Sequence, residues 1–152
     1  MLLYVQLLLA LVFSGTEPEF EQLAADHFFK NIFSIKYPDL KVAQLDTKTD
    51  STVHFGIVMN CQQWDKETRK KVYSGSYGKQ MELEFPNSDI KIKKHRQYTN
   101  RLKIAVSPRR RVGDNYYVEV TAYKKLRFVD YFIFRFESDG RLADICEKSE
   151  II

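Results

Sequence analysis

The chain has 152 residues, 44% of them apolar and 14% aromatic, with six Gly and four Pro. That composition excludes disordered, collagen-like and mucin-like classes and fits a single compact domain. Lys and Arg number 24 against 20 Asp and Glu, a net charge of +4, and no metal-ligand cluster, phosphate-binding loop or nucleophile elbow indicates a cofactor.

Residues 1–13, MLLYVQLLLALVF, form an apolar run without a charged side chain, followed by Ser14, Gly15 and the acidic stretch 16–19. The run is shorter than the about 20 residues that span a bilayer, and Val12 and Ser14 suit the small-residue positions of a signal peptidase site. We therefore expect a signal peptide over 1–14, a domain over 15–152, and a secreted or periplasmic protein. The run lacks a basic flank, so an uncleaved anchor and a buried helix stay open as other readings. In an oxidising compartment, Cys61 and Cys146 are compatible with one disulfide and equally with two buried thiols, because spacing does not establish proximity.

Pro18, the acids Glu17, Glu19 and Glu21, and apolar residues at Phe20, Leu23, Ala24, Phe28 and Ile32 predict an amphipathic helix over 18–33. Beyond Tyr37-Pro38-Asp39 the pattern alternates. A first strand lies around Val42 and Gln44, and a second places Val53, Phe55, Ile57 and Met59 on one face, with 47–50 as the hairpin turn between them. A short helix is expected over 65–72. Strands follow at 81–85, 89–96, 101–106, 115–124, 127–137 and 141–147, with Asp139-Gly140 as the turn of the last hairpin.

This is an α+β layout, a helix packed against a curved antiparallel sheet. The helix at 18–33 and the long pair Tyr116 to Lys124 and Phe128 to Glu137, closed by Gly140 and Leu142-Ala143-Asp144-Ile145, resemble the cystatin-like and NTF2-like roll. Small secreted bacterial proteins of that roll are the most similar. The Q-x-V-x-G loop and Pro-Trp pair of cystatin inhibitors are absent, which sets protease inhibition aside.

Charge is unevenly placed. Between Lys91 and Arg111 stand nine basic residues and no acid, which leaves the remainder of the chain acidic. Period-2 alternation sets Lys91 and Lys93 against Ile90 and Ile92, and Arg101 and Lys103 against Leu102 and Ile104. If 98–101 makes a hairpin turn, two adjacent strands share a basic face that brings Arg96 near Lys103. With Arg109 and Arg110, this stripe suits an anionic ligand, an acidic protein partner or an anionic membrane surface. It reads equally as a solvated edge that discourages aggregation. Nucleic acid is disfavoured, since no aromatic stacking positions interleave the stripe.

A pocket inside the roll is the second feature. Asp130 shares a strand face with Phe128, Phe132, Phe134 and Phe136, where burial would raise its pKa toward general acid or base duty. The resemblance implies a precedent, because NTF2-like isomerases and dehydratases use Asp, Tyr or His in this cavity; Tyr116 and His27 are the matching donors here. Asp130 reads also as a partner of Arg127 or Lys125, and His27 as a core histidine. His27, His54 and His95 are too dispersed for a zinc site. Trp64 leads a polar stretch, as a ligand platform or as packing over the sheet's end.

The residues favour a non-catalytic binding module that uses the basic stripe and the concave mouth. A small NTF2-like enzyme with Asp130 as base is the alternative, and a structural homodimer through the apolar C-terminal strands is a third.

Overall fold

The computed structural model describes residues 16–53, 55–94, 102–124 and 127–152. Helix α1 (Phe20–His27) runs through a π-helical turn (Phe28–Ile32) into a last α-helical turn, α2 (Phe33–Lys36). The buried positions Phe20, Ala24, Phe28, Phe33 and Tyr37 explain that turn: their spacing is four, four, five, four. One residue inserted as a π-bulge keeps a single stripe facing the sheet where 3.6-residue geometry would rotate it away. Leu23, expected in the stripe, is instead partly exposed.

The sheet has seven strands: β1 (Val42–Leu45), β2 (Lys91–Lys94), β3 (Lys103–Val106), β4 (Arg110–Val112), β5 (Asn115–Lys124), β6 (Phe128–Glu137) and β7 (Leu142–Ile151). Its order is β2-β1-β3-β5-β6-β7, with β4 also paired to β5. The fold is α+β with the helix on the sheet, as expected. The sheet is mixed rather than antiparallel, because β1 pairs parallel with both β2 and β3. The expected hairpin between 89–96 and 101–106 does not form, since β1 lies between those strands. Residues 95–101, including Arg96, Arg101 and the expected turn, lie outside the described residues, as do 1–15, His54 and Lys125.

Alternation along β5 and β6 gives the sheet two buried faces. Val118, Val120, Phe132, Phe134 and Phe136 meet the helix in the larger core, where Phe20 stacks on Tyr116 with centroids 4.1 Å apart. Tyr117, Ile133 and Cys146 point the other way into a second core. That core is roofed by a 3-10 helix (Phe55–Asn60) and helix α3 (Lys66–Ser74), whose first turn is capped by the Asp65 carboxylate accepting from Thr68 N–H at 2.9 Å.

The 3-10 segment replaces the strand expected over 53–59. Phe55, Val58, Cys61 and Trp64 are buried at intervals of three, the eclipsed spacing of a 3-10 turn, while Met59 faces out. Cys61 and Cys146 are joined in a disulfide with Cα atoms 5.8 Å apart, which ties this roof to β7. The expected strand at 81–85 is reduced to an isolated bridge between Lys48 and Glu82. Gly140, at φ +90°, takes the left-handed conformation that the β6–β7 turn requires.

Candidate functional site

The register resolves the basic stripe into separate parts. Val42 pairs with Lys91, and Gln44 pairs with Lys93 on one side and Lys103 on the other, so all three lysines project from the sheet face opposite the helix. Lys91 is exposed on the edge strand β2 and Lys93 is half-buried. Lys103 lies 3.7 Å from Asp46 and 5.9 Å from the centroid of the Tyr123 ring.

Arg109 and Arg110 do not belong to that surface. Arg109 clamps the helix: its Nε donates to both Glu21 carboxylate oxygens at 3.0 and 3.1 Å, and its backbone N–H donates to Oε1 at 2.8 Å. Glu21 is 0% exposed. Arg110 is buried with its guanidinium packed against the rings of both Phe55 and Tyr77, 4.5 and 4.0 Å from their centroids, and donates to the carbonyls of Val72 and Tyr73. Sequence alone reads consecutive arginines as a charge run. Here each satisfies a different buried partner, which only the β4 turn geometry brings together.

The three polar groups assigned to a roll pocket stand apart. Asp130 is half-buried at one end of the helix-side core, where Tyr37 Oη donates to it at 2.6 Å and Ser149 Oγ also donates. Burial and this carboxylate both raise the Tyr37 pKa. Tyr116 pairs with Phe136 rather than with the Asp130 level, six residues or about 20 Å along β6. His27 packs edge-on against Phe134, and burial lowers its pKa. Trp64 is part of the second core, donating from Nε1 to Asp144 at 2.8 Å and meeting Tyr117 edge-on.

A carboxylate that sequence reasoning passed over occupies the opposite face. Glu119 lies on β5, where Ser107 N–H donates to its carbonyl at 2.8 Å and its own N–H donates to Ser107 Oγ at 2.9 Å, opposite the break between β3 and β4. Its side chain is 0% exposed. Thr121 Oγ1 donates to Oε1 at 3.0 Å, and Oε2 has no hydrogen-bond partner, alone among the buried carboxylate oxygens of the described residues. Desolvation pushes its pKa up to about 8, against the smaller opposing effects of Thr121 and Arg110. It lines a pocket of about 300 Å³ with Thr121, Tyr123, Tyr131 and Glu150 from the sheet and Val53 and Ile57 from the roof. The clue was present in the run NYYVEVTAYK, where Glu119 interrupts apolar residues, although period-2 reasoning assigns it to a solvated face unless the roof is foreseen.

A larger groove of about 620 Å³ runs between the helix and residues 84–89, bordered by Asp26, Lys30, Glu84 and Asp89. No helix among the described residues is long and apolar enough to cross a membrane, and no cluster of three or more metal-ligating side chains occurs among them. No family model, curated protein or solved structure matches the chain.

Proposed function

We propose that the chain is an exported, non-catalytic binding module that meets an anionic partner with the β2 edge of its sheet. The observation that carries this reading is the register that places Lys91, Lys93 and Lys103 on one sheet face, with Lys91 and Lys94 exposed at the edge. An edge strand offers free backbone donors and acceptors, and positive side chains along it attract acidic groups while repelling a second basic edge. The disulfide supports export, since such bonds persist in oxidising compartments, and the apolar run at 1–13 supplies the address. The analogy to the NTF2-like roll adds nothing about activity, because folds of this kind carry many functions.

Retention on a sulfated polysaccharide matrix tests the reading. Replacing Lys91, Lys93 and Lys103 by Gln is expected to lower the eluting salt concentration sharply while leaving stability within about 0.5 kcal/mol. Unchanged retention would reject it. Vesicles carrying anionic lipid, run in parallel, separate a polymer partner from a membrane surface.

A further inference from the structure

The geometry points to a second, independent binding site: the Glu119 pocket takes a small protonated amine, whose N–H donates to Glu119 Oε2.

Glu119 lines the pocket with a buried carboxylate, one oxygen satisfied by Thr121 and the other lacking a donor and covered from solvent, so a ligand reaches it by a small shift of the lining side chains. A buried polar oxygen without a partner is destabilising, and a donor brought by a ligand to the ionised carboxylate would relieve that. The walls suit a cation. Tyr123 and Tyr131 present aromatic rings, Val53 and Ile57 give an apolar side for methylene groups, and the exposed Glu150 adds a second carboxylate at the mouth. The volume is at the small end of ligand sites and matches an amine of about ten heavy atoms.

The charges on this side of the sheet are of both signs, and the charged residues that line the pocket itself are the carboxylates Glu119 and Glu150. On β7, Glu150 faces the pocket in the row formed with Tyr123 and Val129. Arg110 on β4 is the cation acting on Glu119, but its guanidinium is held against two rings and by two carbonyls and does not line the pocket. Lys103 on β3 approaches Tyr123, Lys148 on β7 pairs with Tyr131, and Asp50 acts on Tyr123. Burial keeps the empty site's carboxyl protonated through neutral pH. An aliphatic ammonium, with a pKa of about 10.4, would bind the ionised form and displace that proton. Affinity should therefore rise several-fold between pH 7 and pH 8 and level off above.

The test is a titration of the oxidised, full-length mature protein, followed by amide NMR shifts, with 2-phenylethylamine, n-butylamine and 1,4-diaminobutane. The neutral isostere 2-phenylethanol and the anion 3-phenylpropionate serve as controls. At least one amine is expected to saturate with shifts confined to the pocket lining, 52–53, 56–57, 119–123, 131 and 150, at least tenfold more tightly than the alcohol, and with release of a proton. Glu119→Gln, which keeps the shape, should weaken it at least tenfold and abolish proton release. Lysine-to-glutamine changes on β2 should leave it unaltered, so this site and the basic edge stand or fall separately. No saturation by any amine at 10 mM, equal binding of the alcohol, preference for the carboxylate, or an unaffected Glu119→Gln variant would each overturn the assignment.

Discussion

Replacing Arg109 by Met separates a structural arginine from a ligand-binding one. The side chain holds Glu21, which is fully buried, through contacts of 2.9 to 3.1 Å, and it donates to the Pro18 carbonyl at 3.1 Å while lying 5.0 Å from the Phe20 ring centroid. Met retains the apolar stem but strands a carboxylate in the core with only the Arg109 backbone N–H as donor. Breaking a buried pair from one side costs about 3–5 kcal/mol. The further contact to Glu17 at 3.4 Å is largely exposed and adds little. Urea unfolding of Arg109→Met should show that loss with the m-value unchanged. The double variant Glu21→Gln/Arg109→Met should regain most of it, because no uncompensated charge remains. Anion retention should be the same in all three proteins. A loss below 1 kcal/mol combined with weakened anion retention would refute the structural assignment.

Three further perturbations follow from the same contacts. Replacing Cys61 and Cys146 by Ala opens a loop with a sequence separation of 85, and the chain-entropy relation gives a loss of about 4.5 kcal/mol, measured by urea unfolding of the oxidised protein against the double variant. Glu119 has its pKa raised on folding, so its protonated form stabilises the fold fully below about pH 4.5 and that stabilisation is lost as pH climbs toward 8, at up to about 1.4 kcal/mol per pH unit. Unfolding free energy measured across that range should lose this slope in Glu119→Gln. Arg110→Lys keeps the charge but loses the guanidinium packed against Phe55 and Tyr77 and its reach to the Val72 and Tyr73 carbonyls, with an expected cost of about 2–4 kcal/mol by thermal unfolding.

The elements legible in the sequence were those whose pattern is local. The helix, β5, β6 and the Asp139-Gly140 turn follow from spacing and turn chemistry, and β5 spans Asn115–Lys124 as the alternation implies. What escaped depends on distant partners. Val53, Phe55, Ile57 and Met59 alternate like a strand, yet the disulfide at Cys61 and the cover over Tyr117 select a 3-10 helix in which Phe55, Ile57 and Val58 are buried. Adjacency in sequence implies a hairpin between 89–96 and 101–106, whereas β1 inserts between β2 and β3 and separates Lys93 from Lys103. Asp130 and Glu119 both interrupt apolar strands, but Tyr37 and Ser149 satisfy the first, while the roof over the opposite face buries the second and leaves an oxygen without a donor.

The most direct test of the proposed function is salt-gradient elution from a sulfated polysaccharide matrix, comparing the unaltered protein, the Lys91→Gln/Lys93→Gln/Lys103→Gln variant and Arg109→Met. The account predicts strong retention for the first and third and early elution for the lysine variant. Retention of the lysine variant at the unaltered salt concentration, or early elution of Arg109→Met, would contradict it.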